Sequence, residues 1–404
     1  MPKKTIEQID VAGKNVLIRV DFNVPLEEGT GKITDDRRIR MAVPTIQSVI
    51  GRGGKAILMS HLGRPEGVGY EPSESLKPCA ARLSELLGKP VAFPSNDPVD
   101  SAAAAGVKAL KNGDVLLLDN LRFHKGEKKG DAAFAAKLAA YGDVYVNDAF
   151  GTCHREDASM YAVPAAMAGK PRVVGLLVQK ELRFLSEALR KPTKPYVVVM
   201  GGAKVSDKLP MIEKVLQQAD EVLVGGAMAY TFLAALGRRV GASRVETEML
   251  GEAKKIIDQA AKLKCELVLP ADHVCSTQFA EHSGDIKVFE EHIADGYMGL
   301  DIGPKSQTTF ALKLRTAKTV LWNGPMGVFE WPAFRVGTKS VAEAIVHATQ
   351  HNHATSIVGG GDSAAAAELL GLADKFSHVS TGGGASLEML SGKAFKTVEL
   401  LDNA

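Results

Sequence analysis

Four side chains in the first half of this chain, His61, Arg64, Arg122 and Arg155, each fall a few residues beyond an apolar, β-rich run. Four turns in the second half instead run into glycines: Gly201-Gly202-Ala203-Lys204, Gly225-Gly226-Ala227, Gly359-Gly360-Gly361-Asp362 and Gly382-Gly383-Gly384. Side-chain cations suit a small, highly charged anion, and the planar guanidinium fork can grip phosphate oxygens two at a time. Bare backbone at a helix start suits a polyphosphate. The chain therefore reads as built to bring two different phosphate-bearing molecules together, the layout of a transferase.

Further residues extend both sets. In R-V-D-F-N-V-P (19–25), period-two alternation puts Arg19, Asp21 and Asn23 on one face of a strand, which fits either an edge strand with one wet face or a ligand-binding strand exit. Arg38 opens the next helix, after Asp35 and Asp36. Lys204 and Lys208 lie four apart at an expected helix start, where they repel each other and oppose the positive end of the dipole. A bound anion would reverse the sign of both effects. Asp362 fits an N-cap, and beside a polyphosphate it also fits a ligand to Mg²⁺. Glu330 is placed either to accept from ribose hydroxyls or to sit in solvent. Neither GxxxxGK[ST] nor a strand-linked GxGxxG is present.

Parallel sheets are needed to hold these loops. Strands are expected at 16–20, 56–59, 115–118, 144–146, 196–199, 222–224, 267–269, 319–321, 356–358 and 378–380, alternating with amphipathic or alanine-rich helices such as 37–50, 207–218 and 338–348. That alternation implies α/β architecture with helices on both faces, and ligands beyond the carboxyl ends of the strands. A Gly-Lys-Pro breaker at 169–171 and a Lys-Pro-Thr-Lys-Pro stop at 191–195 bracket a helical stretch that reads as a connector between two lobes.

At 404 residues the chain exceeds one ordinary core. Its 45% hydrophobic and 24% charged composition is that of a globular protein, and a net charge of +2 gives no global pull toward nucleic acid or membrane. Cys79, Cys153, Cys265 and Cys275 have no metal-like spacing, so reduced thiols are expected. The opening MPKKTIEQID has no apolar stretch, and cytoplasm is the default expectation.

The motifs R-V-D-F-N-V-P, S-H-L-G-R-P, L-R-F, N-D-A-F-G-T-x-H-R, G-G-A-K-V-x-D-K, D-I-G-P, W-N-G-P-x-G-V-F-E, G-G-G-D and S-T-G-G-G-A-S, in this order from about Val16 to Glu388, resemble phosphoglycerate kinase. The resemblance implies reversible transfer of the acyl phosphate of 1,3-bisphosphoglycerate to Mg·ADP, giving 3-phosphoglycerate and ATP. It implies two Rossmann-like lobes in a monomer: a phosphoglycerate lobe at 1–171, joined by the returning tail 389–404, a connecting helix at 172–190, and a nucleotide lobe at 191–388. It assigns Asp21, Phe22, Asn23, Arg38, His61, Leu62, Gly63, Arg64, Arg122 and Arg155 to phosphoglycerate. It assigns Lys204, Lys208, Gly225, Gly226, Gly299, Asn323, Glu330, Gly359, Gly360, Gly361, Asp362 and Ser363 to the nucleotide, with Asp362 on the metal. Arg38, Lys208, Gly360 and Gly383 are expected to act on the moving phosphoryl group. Three departures from the family pattern stand out: Ser363 in place of a frequent Thr, Ala227 in place of a frequent glycine, and the acids Glu156 and Asp157 directly after Arg155.

Overall fold

A computed structural model describes residues 2–404. The chain forms two compact units, one comprising the residues through Arg183 together with Ala394–Ala404, the other Phe184–Lys393.

The first unit is built on strands β1 (Asn15–Val20), β2 (Lys55–Met59), β3 (Val91–Ala92), β4 (Val115–Leu117), β5 (Val144–Asp148) and β6 (Arg172–Val174). They pair in the order β3-β4-β2-β1-β5-β6, all parallel. Continuous apolar runs such as Val16–Ile18 form the central strands because helices cover both faces. The helix Arg37–Ile50 buries Ile39, Ala42, Ile46 and Val49 against Val16, Ile18 and Leu58. Because β1 lies between β2 and β5, the edge-strand reading of R-V-D-F-N-V-P does not hold. Arg19 is fully buried within it.

Strand order reverses at β1, with β2, β4 and β3 on one side and β5 and β6 on the other. Such a switch point leaves a crevice at the carboxyl edge. Register then sets what enters it. Arg19 is level with Met59 of β2 and Asn147 of β5, so the loops starting at Asp21, Ser60 and Ala149 leave the sheet together.

The second unit is built on β7 (Tyr196–Met200), β8 (Glu221–Val224), β9 (Glu266–Val268), β10 (His273–Ser276), β11 (Ile286–Phe289), β12 (Met298–Ile302), β13 (Thr319–Asn323), β14 (Thr355–Val358) and β15 (His378–Val379). Its parallel sheet has the order β15-β14-β13-β7-β8-β9, reversing between β7 and β13. Met200 is level with Val224 and Asn323, and Trp322 with Val358, so Gly201, Gly225, Gly324 and Gly359 emerge side by side. Trp322 and Phe310 anchor the core beneath. A small antiparallel sheet, β11-β10-β12, packs Cys275 with Tyr230 and Ile293.

Boundaries differ from the sequence expectation: the first unit runs through Arg183 where 171 was expected, and the second begins at Phe184 where 191 was expected. The connecting helix expected over 172–190 begins only at Leu176, because Arg172–Val174 pairs with β5 as β6. The tail segment belonging to the first unit begins at Ala394, since the helix Gly384–Leu390 lies within the second. Lys3 Nζ donates to Leu401 O at 2.7 Å, and Asp402 Oδ2 accepts from Arg172 N at 3.0 Å, tying the tail to its unit.

Candidate active site

At the carboxyl edge of the first sheet, Arg38 Nη1 donates to Asp21 Oδ1 at 2.9 Å. Burial alone would raise the Asp21 pKa, yet the charges of Arg38 and Arg19, with the hydrogen bond from Asn23 N, hold the carboxyl below its ordinary value. Asn23 Oδ1 accepts from Gly63 N at 2.8 Å, and Gly63 O accepts from Arg122 Nη1 at 2.8 Å. Asn120 locks the adjoining loop, its Oδ1 accepting from Leu62 N and Arg122 N while its amide donates to Leu62 O and Glu74 O.

Arg122 is nearly buried, and its Nε has no hydrogen-bond partner. Burial disfavours its charge, Asp157 at 3.8 Å partly restores it, and Arg155 and Arg19 repel it. Net, the guanidinium is held below its ordinary pKa, a cation short of anion. Arg155 is exposed, and its charge bears on both His61 and Arg122. The acids after it point elsewhere: Glu156 pairs with Lys396 of the tail at 2.8 Å, and Asp157 faces Arg122.

Some expected residues take a different part. Phe22 and Leu62 bury their side chains in the core, so only their backbones border the crevice. Arg64 is exposed and is not drawn into the cluster. His61 is not a cation. It is 2% exposed, and burial and the charge of Arg19 drive its pKa well below the ordinary value.

In the second unit, Lys208 Nζ donates to Asn323 O at 2.9 Å and reaches the Asn323 side-chain oxygen. Burial lowers its pKa to about 8, while Asp362 and Asp207 act in the opposite sense. Asn323 Nδ2 in turn donates to Gly359 O at 2.7 Å, joining the β13 turn to the β14 turn. The expected repulsion of Lys204 and Lys208 at a bare helix start is not found. Lys204 precedes the helical turn Ser206–Lys208, and Glu246 accepts from Val205 N at 2.5 Å and from Ser206 N at 3.3 Å. Those amides are already satisfied by a carboxylate whose pKa is lowered, burial being outweighed by these bonds and by Lys204. Nothing in the local sequence signals Glu246, which lies about forty residues downstream.

The glycines divide into two groups. Gly201, Gly226 and Gly324 have no room for a Cβ, which at Gly226 would meet Gly202 N at 2.4 Å and at Gly324 would meet Gly201 O at 2.2 Å. These turns pack backbone to backbone. Gly225 is similarly closed by Met326, and Gly299 by the Tyr230 ring. By contrast Gly361, Gly383 and Gly384 have nothing within 4 Å of that position. Gly359 and Gly360 border them, Gly360 against Asn323. Open backbone at the starts of the helices Gly361–Leu369 and Gly384–Leu390 is the better anion cradle. Glu330 is exposed.

The phosphoglycerate kinase family model matches residues 6–393. The chain belongs to the phosphoglycerate kinase family. It is 57% identical to a phosphoglycerate kinase of Rhodopirellula baltica, covering 100% of both chains. A cytosolic phosphoglycerate kinase of Crithidia fasciculata is 48% identical, covering 100% of this chain and 99% of that protein. The structure of phosphoglycerate kinase from Coxiella burnetii matches with a TM-score of 0.88 at 38% identity, over 99% of this chain and 98% of that one.

The activity is therefore that of phosphoglycerate kinase, a glycolytic phosphotransferase with a carboxyl acceptor. The Ser363 departure keeps its hydroxyl in use, since Ser363 Oγ accepts from Gly324 N at 2.5 Å. Asp362 is exposed at a helix start, and no group of three or more His, Cys, Asp or Glu able to hold a metal occurs among the described residues. A single carboxylate beside an anion cradle fits Mg²⁺ that arrives with phosphate oxygens, and does not fit an all-protein cage. No helix among the described residues is long and apolar enough to cross a membrane.

Proposed function

We propose that 3-phosphoglycerate is held in the first unit by Asp21, Asn23, Arg38, His61, Arg122 and Arg155, with Arg64 at the rim. The nucleotide is held in the second by Lys204, Lys208, Asn323, Glu330 and the open glycine turns. The observation that supports this most is the cation excess around Arg122, a nearly buried guanidinium with an unpartnered Nε and two further arginines repelling it. An arriving phosphate or carboxylate relieves all three penalties at once.

The acceptor carboxylate has an ordinary pKa near 4 and is ionised at neutral pH, so no general base is needed. One of its oxygens bonds to the γ-phosphorus as the bond from that phosphorus to the β,γ-bridging oxygen breaks. The electron pair leaves with ADP, and no proton moves. Catalysis then rests on alignment and charge stabilisation. Arg38 contributes from the first unit; it is only partly covered and can exchange Asp21 for substrate. Lys208 contributes from the second, its ammonium aimed by Asn323. Open N–H groups near Gly360 and Gly383 add partial positive charge. When bound with nucleotide, Mg²⁺ on Asp362 offsets phosphate charge. Approach of the two units before transfer would exclude water, which otherwise takes the phosphoryl group.

The enzyme acts as a monomer in the cytoplasm under this reading. Calorimetric titration tests the residue assignment. Arg122→Met is expected to weaken 3-phosphoglycerate binding by roughly tenfold or more with ADP binding unchanged. Loss of ADP binding with phosphoglycerate binding intact would reverse the assignment.

A further inference from the structure

Behind the phosphoglycerate crevice runs a buried chain of polar groups that the transfer chemistry does not call on. Arg19 lies in β1, fully buried, with every nitrogen engaged: Nε donates to Ser159 Oγ at 2.8 Å, Nη1 reaches Val20 O, and Nη2 meets His61 Nδ1 at 3.0 Å. Ser159 sits in a π-helical turn, Ala158–Ala162, and passes the contact on. Its Oγ donates to Glu127 Oε1 at 2.5 Å, and its backbone N donates to Glu127 Oε2 at 2.9 Å. Single π-turns are concentrated at functional sites, where they re-aim a side chain. Here the turn presents both the N–H and the hydroxyl of Ser159 to one carboxylate.

The donor inventory settles what this chain does to His61. A guanidinium has only donors, so the Nδ1 facing it must be the accepting nitrogen. A neutral imidazole with an accepting Nδ1 carries its proton on Nε2. The charged ring would place an N–H against an N–H, a clash that burial makes worse. Asp21, Arg122 and Arg155 are the other charges bearing on the ring. The single acid there does not outweigh the three arginines, and the ring is kept neutral.

We infer that Arg19, Ser159 and Glu127 are positioning residues that hold His61 as the neutral Nε2–H tautomer, so that it offers one fixed hydrogen-bond donor to an oxygen of the sugar-acid substrate. The inference rests on the phosphoglycerate assignment proposed above. A neutral donor beside several arginines gives direction without added charge: the arginines attract the anion, and the Nε2–H selects its orientation. A protonated histidine would add to the mutual repulsion of the cations in the empty crevice. The opposite tautomer would turn a lone pair toward an anionic oxygen.

Long-range ¹H–¹⁵N spectra of the labelled, ligand-free wild-type protein test this without any substitution. The expected result at pH 7 is a His61 ring protonated on Nε2 alone. A ring protonated on Nδ1, or on both nitrogens, overturns the proposal. Ser159→Ala tests the supporting chain; it is expected to produce a mixture of tautomers and to raise KM for 3-phosphoglycerate by about 3- to 10-fold, leaving KM for ATP unchanged. Ser159→Thr, which keeps the hydroxyl, is expected to restore both. Wild-type tautomer and KM in Ser159→Ala would remove Ser159 and Glu127 from the role. Titration with 3-phosphoglycerate separates this from the parent assignment. If the tautomer is as stated but the Nε2 resonance does not move on saturation, the substrate assignment fails while the buried chain stands.

Discussion

Lys208 and Asn323 form a paired unit in which one ammonium is held by both the backbone oxygen, at 2.9 Å, and the side-chain oxygen of the same asparagine. The pairing fixes the direction of a charge that burial has already made less comfortable, with a pKa near 8 in place of 10.5. Between those two values the native chain binds fewer protons at this site than the unfolded chain does. Stability contributed by Lys208 therefore rises with pH across that window, and the burden of its charge is fully present below about pH 8. Urea melts of wild type and Lys208→Met from pH 7 to 10.5 are expected to show the difference shifting in favour of wild type as pH climbs. The same variant is expected to lose about 10²- to 10³-fold in kcat. A pH-independent stability difference would contradict the strained ammonium.

The two groups of glycines make opposite predictions. Gly226→Ala places a Cβ 2.4 Å from Gly202 N on a backbone with φ +66°, and is expected to destabilise the fold by about 1–3 kcal/mol or more. Gly361→Ala enters open space at an ordinary backbone angle, so stability is expected to stay within about 1 kcal/mol of wild type. Its effect falls on nucleotide KM, which rises as the methyl group crowds the cradle. Melting curves and KM values measured on both variants decide it. A destabilised Gly361→Ala with normal KM would mean that the open space is not the nucleotide cradle.

All four cysteines are buried and free, and burial pushes Cys79, Cys153 and Cys275 up to about 12 and Cys265 to about 11. With almost no thiolate at pH 8, the native enzyme is expected to keep full activity under a thiol-selective disulfide reagent, all four groups reacting at once in denaturant. A thiol that reacts rapidly in the native state, with loss of activity, would show a reactive site that the fold does not account for.

Much of the frame was legible because buried parallel strands have a blunt signature. Runs such as Tyr196–Met200, bounded by glycine and proline, have few other ways to fold. The strands β10 to β12 were not legible, since β11 is largely exposed and their antiparallel pairing breaks the strand-helix alternation. The sequence leaves the Arg19 face open between a wet edge and a ligand-binding exit for a physical reason: alternation reports polarity, and a buried arginine with all its donors engaged is indistinguishable in sequence from a wet one. Histidine 61 was counted among the cations because its charge depends on Arg19, a neighbour in space but not in sequence. The glycine turns were recognised as a set, yet sequence cannot separate Gly226, which faces backbone, from Gly361, which faces open space.

The account turns on Arg38 acting on the phosphoryl group in transit from its place beside Asp21. The most direct measurement is steady-state kinetics of Arg38→Ala with 3-phosphoglycerate, ATP and Mg²⁺. The account predicts a fall in kcat of about 10²-fold or more with KM for ATP unchanged. A kcat equal to that of wild type would contradict it.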